Sequence, residues 1–458
     1  MTLIKSISGI RGTIGGLPGA NLTPLDVVKF STAYGMWLKG RTQGDVKVVV
    51  GRDARISGAI IQDLVQSSLQ SLGIDVINLG LSTTPTVEVA VPMEKASGGI
   101  ILTASHNPKQ WNALKLLNEK GEFVSAEDGA VILGIAEKEA FDYAEVDDLG
   151  GVTKKDYLQE HIDAVLALST VDLELVKTAN FKVVVDAVNS TGGIYLPALL
   201  RQMGVDVVEL YCEPNGHFPH NPEPLPEHLH DLCSKVLETK ADVGFVVDPD
   251  VDRLAIVSED GSLFGEEYTL VAVADHVLKT KKGNTVSNLS STRALRDVSE
   301  KHGVSYFASA VGEVNVVEKM KEVGAPIGGE GNGGIIYPEL HYGRDSLVGV
   351  ALFLTHLAQS KLTCSNLRKK YKDYFMSKNK IELTPELNVD ELLTSMANKY
   401  NDEDVDCTDG VKINFDDEWV HLRKSNTEPI IRIYTESTSL QKASALANRF
   451  IKEIGELY

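Results

Sequence analysis

Ser105 and Lys115 are the residues of this chain whose types and spacing point most directly to chemistry. Ser105 lies in Thr103-Ala-Ser-His-Asn-Pro108, and the lysine follows it by ten residues. The apolar run Gly99-Ile-Ile-Leu102 just before reads as a buried strand. Proline fixes one backbone angle and pushes the residue before it toward an extended conformation, so the loop is expected to hold one shape. A hydroxyl placed there, beside His106 and Asn107, is expected to be presented rather than buried. Ser, Asn and Pro are also the usual turn residues, so this stretch alone does not separate a reacting hydroxyl from a turn.

A second cluster is Phe245-Val-Val-Asp248-Pro-Asp250-Val-Asp252-Arg253-Leu-Ala-Ile-Val257. Three carboxylates at alternate positions between two apolar strands raise one another's pKa and repel unless a cation intervenes. An all-oxygen set suits a hard divalent ion such as Mg²⁺. An EF-hand loop would share the three aspartates, with Glu259 at its twelfth position. Its sixth position is Arg253, however, where that loop needs glycine, and strands flank the segment in place of helices. A dehalogenase-type phosphatase with Asp248 as nucleophile is the other competitor; its motif has Thr or Val where Asp252 stands.

Two further segments carry polar chemistry. Gly328-Gly-Glu330-Gly-Asn332-Gly-Gly334 formally contains GxGxxG, but Ile335-Ile-Tyr-Pro338 follows where a dinucleotide site needs a helix. A loop that brings backbone close to a ligand, with Glu330 accepting from a pair of sugar hydroxyls, is the alternative. Arg423-Lys-Ser425-Asn-Thr427-Glu-Pro429, followed by Arg432, offers hydroxyls, backbone N–H groups and guanidinium forks to a phosphate monoester.

The elements that must position these groups repeat along the chain. Val46–Val50 runs through Gly51-Arg-Asp-Ala-Arg-Ile-Ser57 into a helical stretch ending near Gly73, then Ile74–Ile77. Phe181–Val185 runs through Asp186-Ala-Val-Asn-Ser190 into a helix ending at Gly204, then Val205–Val208, and a weaker copy spans Thr285 to Gly303. The glycines suit helix C-terminal caps. Strands alternating with helices predict α/β units with ligands at the carboxyl ends of the strands. Past about residue 370, a helix over Val389 to Tyr400, a hairpin of Val411–Phe415 and Trp419–Leu422 about Asp416-Asp-Glu418, a strand Ile430–Tyr434 and a terminal helix predict a smaller α+β domain with an antiparallel sheet. Lys369-Lys-Tyr-Lys372 reads as a solvated connector.

Length and charge bound the rest. A chain of 458 residues is too long for one hydrophobic core and predicts three or four domains. The start lacks the pattern of a signal peptide, and no apolar run approaches the ~20 residues of a membrane span. The four widely spaced cysteines fit reduced thiols in a cytoplasmic protein. A net charge of −19 argues against nucleic acid or an anionic membrane as partner, so an anionic ligand must be held by local Arg and Lys.

In this order the four segments resemble the α-D-phosphohexomutase superfamily of phosphoglucomutases, phosphomannomutases and phosphoglucosamine mutases. The resemblance extends to Ser8-Gly-Ile-Arg11-Gly12 and Asn215-Gly-His-Phe-Pro-His-Asn-Pro-Glu-Pro224. It implies four domains around a central cleft, three of them related α/β mixed-sheet domains (1–150, 151–254, 255–368) and the fourth the C-terminal α+β domain (369–458). It further implies a phosphoserine at Ser105, with His106 beside it, and one Mg²⁺ on Ser105, Asp248, Asp250 and Asp252. Sugar binding is implied at Glu330 and Asn332, and phosphate binding at Arg423, Ser425, Asn426, Thr427 and Arg432. The reaction implied interconverts a hexose 6-phosphate and a hexose 1-phosphate through a hexose 1,6-bisphosphate that turns over without escaping. Lys115 and Arg11 match positions of proton transfer and charge stabilisation, and Arg253 supplies another positive centre. A lysine crowded by cations is expected to have a lowered pKa. The resemblance further implies a small phosphosugar as substrate and a monomer or homodimer. Departures are Ala113 for glycine, Ala310 for a basic residue, and Asn332 and Gly334 for the sugar loop's serine and histidine. The sequence leaves open whether His341, in His341-Tyr-Gly-Arg344-Asp345, compensates. The GEGNGG form favours phosphoglucosamine mutase, with phosphoglucomutase/phosphomannomutase as the alternative.

Overall fold

Valine-rich segments bounded by glycine and polar loops form the strands that carry the site. The computed structural model describes residues 2–6, 9–382, 388–424 and 430–456. By its internal contacts it divides into two units, Met1–Thr269 with Asn332–Leu367, and Leu270–Gly331 with Arg368–Tyr458.

The first unit holds two sheets. Seven strands run in the order Ile4–Ser6, Gly9–Thr13, Trp111–Leu117, Gly98–Leu102, Lys47–Arg52, Asp75–Leu81, Val152–Lys154. Lys47–Arg52 pairs in parallel with both neighbours, and Trp111–Leu117 pairs antiparallel with Gly98–Leu102. Alternation along a strand sends Val48 and Val50 into one core, shared with Val27, Phe30 and Val65, and Val49 into another, shared with Val87, Ala90 and Val91. Both faces are therefore covered, as continuous apolar strands require. The second sheet is Leu254–Ser258, Val243–Val247, Lys182–Asp186, Asp206–Leu210, with an antiparallel edge at Leu254–Ser258. Helix Ser346–Ser360 carries an unbroken apolar run from Leu347 to Leu354 and is buried over Ser346 to Ala358.

In the second unit, Thr285–Asn288 pairs in parallel with Tyr306–Ser309 and Ile327–Glu330. An antiparallel sheet follows, ordered Phe375–Glu382, Ile430–Ser437, Trp419–Lys424, Val411–Asn414, Asp404–Asp406. Helices Val389–Lys399 and Leu440–Gly455 close its core through Leu392, Met396, Leu446 and Phe450.

The three strand–helix–strand repeats are present, and Gly73, Gly204 and Gly303 each follow their helix with φ of 75°, 75° and 70°. The 369–372 segment is not simply a solvated connector. Tyr371 is buried and its hydroxyl donates to Asp275 Oδ2 at 3.3 Å, because an aromatic ring in a basic run still gains more from burial than from water.

Candidate active site

Both key loops leave the carboxyl ends of strands in the first unit. The serine loop follows Gly98–Leu102 and the aspartate loop follows Val243–Val247. Their tips bend sharply: Ser105 adopts φ of 48° and Val251 φ of 68°. A left-handed β-branched residue is costly, by about 1–3 kcal/mol, and persists only where its surroundings over-determine it. Here they do. Asp248 Oδ1 accepts the N–H groups of Asp252 and Arg253, both at 3.1 Å, and Val251 N–H donates to the Asp248 carbonyl at 3.1 Å.

The two loops meet at Ser105, whose Oγ donates to Asp248 Oδ2 at 2.7 Å and lies 3.3 Å from His106 Nδ1. The serine is buried at 8 % exposure, which corrects the expectation of a presented hydroxyl. The cause is a scaffold that the sequence reading passed over. Arg55, with no side-chain exposure, donates from its terminal nitrogens to the carbonyls of Ser105 (2.5 Å), Asn107 (2.6 Å), Pro108 (2.8 Å) and Trp111 (3.1 Å). Its Nε donates to Asp53 Oδ2 at 3.0 Å, and Asp53 also accepts from Thr103 Oγ1 at 2.7 Å. One guanidinium thus folds the whole serine loop inward. An Asp-x-Arg in a loop just after a valine strand is the signal that could have found it.

Asp248, Asp250 and Asp252 have no exposed surface, and ligand oxygens of the three lie within 4.8 Å of one another. Cationic and hydroxyl donors occupy one oxygen each of Asp250 and Asp252. Asp250 Oδ2 accepts from Lys115 Nζ (2.7 Å) and Thr84 Oγ1 (2.5 Å), and Asp252 Oδ2 accepts from Arg344 (2.7 Å) and Lys115 (3.3 Å). Asp250 Oδ1 and Asp252 Oδ1 are buried with no hydrogen-bond partner among the described residues. Two unpartnered anionic oxygens beside a third carboxylate are what a hard divalent cation takes up, so this set fits a metal ion.

Electrostatics sorts the charges. Burial and then its two aspartate neighbours push Asp248 well above the carboxylate range. Burial also raises Asp252, but Arg344, Lys115 and Arg253 outweigh it and hold this carboxyl below its usual value. Burial lowers Lys115, yet Asp250 and Asp252 reverse the sign and raise it. The lowered lysine expected from crowding by cations is therefore not found: its contacts are carboxylates, and it is held as an ammonium. His106 is pushed well below its ordinary value by burial and then by Arg253, which keeps it neutral. Arg253 donates to Glu223 Oε1 at 3.1 Å. Arg11, on Gly9–Thr13, pairs with Ala113 across the sheet, two residues from Lys115, and its Nε is buried without a hydrogen-bond partner among the described residues.

Asn332 also belongs to the first unit; its Oδ1 accepts from Gly334 N–H at 3.3 Å. His341 does not enter the aspartate cluster. It is enclosed by Glu88 and Asp345, at 3.2 and 3.3 Å, which push it up to about 10 against the opposing effect of burial. Asp345 in turn lies 3.0 Å from His161 and caps helix Ser346–Ser360.

Glu330, Arg423 and Arg432 fall in the second unit. Glu330 Oε1 accepts from Asn288 Nδ2 at 2.9 Å and Gly312 N–H at 3.3 Å. The adjoining Val311 N–H donates to Asp409 Oδ2 at 3.0 Å, and Arg423 sits 4.0 Å from that same oxygen. Arg423 and Arg432 are cross-strand partners. Ser425, Asn426 and Thr427 lie outside the described residues, as does Ser8.

Comparison with known proteins agrees along the whole chain. Family models for phosphoglucomutase/phosphomannomutase match in sequence: alpha/beta/alpha domain I over 3–143, domain II over 159–261, domain III over 265–374, and the C-terminal domain over 380–453. A phosphoglucomutase/phosphomannomutase of Thermococcus kodakarensis is 35% identical over 449 residues, covering 97% of this chain and 98% of that one. A phosphoglucosamine/phosphogalactosamine mutase of Sulfurisphaera tokodaii is 31% identical over 452 residues, covering 97% of each. A crystal structure of a phosphoglucomutase/phosphomannomutase family protein from Burkholderia thailandensis superposes with a TM-score of 0.86 at 26% identity, covering 99% of this chain and 97% of that one. No helix among the described residues is long and apolar enough to cross a membrane.

Proposed function

The chain belongs to the phosphoglucomutase/phosphomannomutase family of phosphohexomutases, isomerases that move a phosphoryl group within a sugar, and from that premise we propose that it interconverts glucosamine 6-phosphate and glucosamine 1-phosphate through a phosphorylated Ser105. The observation that carries the phosphoserine part of the reading is the 2.7 Å contact between Ser105 Oγ and Asp248, inside a buried triad with two carboxylate oxygens unpartnered among the described residues; glucosamine as the sugar is supported by the relative named phosphoglucosamine/phosphogalactosamine mutase.

In the proposed cycle a sugar hydroxyl oxygen bonds to phosphorus as the phosphorus–Oγ bond of phospho-Ser105 breaks. The product is a hexose 1,6-bisphosphate, and the hydroxyl's proton ends on Ser105 Oγ, the atom that donates to Asp248. The same exchange with the sugar's other phosphate restores phospho-Ser105 and releases the isomer. Phosphoryl transfer asks mainly for positioning and charge neutralisation. Asp248, Asp250 and Asp252, with Ser105, would hold one Mg²⁺, which when bound supplies positive charge to the transferring group. Lys115, kept protonated by two aspartates, serves as a fixed cation in the resting site, with Arg253 and Arg11 as further positive groups. Neutral His106, 3.3 Å from Oγ, is the acceptor through which the proton can pass. Glu330 and Asn332 are assigned to sugar hydroxyls, and Arg423, Ser425, Asn426, Thr427 and Arg432 to the phosphate that is not reacting. Arg is suited to that role by its bidentate fork.

A second reading, glucose or mannose phosphate as substrate, is favoured by the 35% identical relative named for those sugars. Turnover measured side by side on glucosamine, glucose and mannose 6-phosphates decides between them. Absence of turnover on all three would refute the mutase reading.

A further inference from the structure

Gly334 stands where the family's sugar loop carries histidine, and the space beside it is filled. A Cβ at Gly334 would lie 2.3 Å from Arg344 Cδ and 3.1 Å from its Cγ. Glycine is required here for room and not for backbone shape, since its φ lies outside the left-handed range. Strand Gly334–Ile336 fixes the approach. Ile336 bridges Arg344 antiparallel, and Asp345 N–H donates to the Ile335 carbonyl at 2.8 Å. The arginine therefore has a direction imposed by backbone pairing and a slot left open by the missing Cβ. At the end of that slot its guanidinium donates to Asp252 Oδ2 at 2.7 Å.

We propose that Arg344 is a positioning residue of the reaction centre, admitted by Gly334, that works through Asp252. Together with Lys115 it occupies Oδ2 and leaves Oδ1 of Asp252 without a hydrogen-bond partner among the described residues. Two positive neighbours make that carboxylate a weaker donor than a free aspartate. Asp252 then binds a cation without neutralising it fully, and more positive charge is left for the transferring phosphoryl group. Sequence reading could not have found this pairing, because positions 252, 334 and 344 meet only when strand and loop are paired. The inference rests on the phosphoryl-transfer reading of the site.

Wild type, Arg344→Ala, Arg344→Lys, Gly334→Ala and the Gly334→Ala/Arg344→Ala double variant test it, by mutase kinetics and by Mn²⁺ binding followed in calorimetry. Arg344→Ala is expected to lower kcat about 100-fold with KM within about threefold, the upper end for loss of a partner behind a metal-binding carboxylate. It is expected to bind Mn²⁺ more tightly, by about threefold or more, since one positive neighbour is gone. Arg344→Lys keeps the charge and restores both values to within about tenfold and twofold of wild type. Gly334→Ala, by displacing the side chain, reproduces Arg344→Ala, and in the double variant it adds less than about twofold.

Unchanged kcat in Arg344→Ala overturns the proposal. So does weaker Mn²⁺ binding in that variant, which marks a scaffold role, and so do additive effects of the two substitutions. If Arg344→Ala does not fold, Gly334→Ala and Arg344→Lys carry the same contrast. A wild type inactive on all three sugar phosphates would sink the mutase reading separately, because Mn²⁺ binding still reports on Asp252.

Discussion

Replacing Arg55 by methionine is expected to loosen the serine loop more than any surface change near it. The guanidinium is wholly buried and makes four hydrogen bonds to carbonyls of residues 105–111 plus an ion pair to Asp53. Methionine fills similar space but leaves four carbonyls and a buried carboxylate without their donor. Breaking one side of a buried pair costs about 3–5 kcal/mol, because the surviving charge is stranded. At ~2–4 °C per kcal/mol for a domain of this size, the first transition in calorimetry should fall by at least about 6 °C. Asp53 supplies an internal control. Burial already raises its pKa, with Arg55 opposing, so Asp53→Asn in the Arg55→Met background removes the stranded charge and should recover a good part of the loss. Activity adds a second readout: the backbone of Ser105 itself accepts from Arg55, so phosphoserine content after incubation with a hexose 1,6-bisphosphate should drop in the single variant. A shift under about 2 °C, or a double variant less stable than Arg55→Met, would refute the stapling argument.

Other outcomes follow from the same geometry. Ser105→Ala should abolish mutase turnover and the phosphopeptide seen by mass spectrometry, while Mn²⁺ binding persists within about tenfold, because the three aspartates remain. Asp250→Asn, or chelation of divalent ions from the wild type, should lower kcat by about 100-fold or more; re-addition of Mg²⁺ should restore only the chelated wild type. His341→Gln should cost about 3 kcal/mol at pH 6 by leaving Glu88 and Asp345 without their shared cation. The raised pKa sets the sign of its pH dependence. The stability His341 contributes is fully present below its ordinary value near 6.5 and is lost as pH rises toward about 10. The gap in Tm between wild type and variant should therefore narrow from pH 6 to pH 9.5, and a constant or widening gap would contradict the assignment.

Much of the first unit's architecture can be read from local pattern. Val46–Val50 and Phe181–Val185 become buried parallel strands because they are short, rich in β-branched valine and apolar on both faces, as a sheet covered on both sides requires. Asp248, Asp250 and Asp252 converge because one short turn between two strands leaves their side chains few places to go. The family match, too, comes from residues local in sequence.

Three features resisted such reading. Ser105 reads from sequence as a residue at an exposed tip, but Arg55, fifty residues earlier, and Asp248 from the facing loop both hold it inward. Lys115 was expected to be lowered by cations, but the strand pairing of Trp111–Leu117 sets it against Asp250 and Asp252. Sequence leaves open whether His341 reaches the site, and Glu88, contributed by helix Thr84–Met93, holds it in a separate network. The types and spacings of Ser105 and the three aspartates, and hence the class of chemistry, are properties of the sequence itself, since short loops after strands carry their own geometry. The sign of each charge's influence, and which oxygen of each carboxylate is left over, arise only in the tertiary structure. Electrostatic energy depends on distance and burial, and those are set by which distant segments the sheets bring into register.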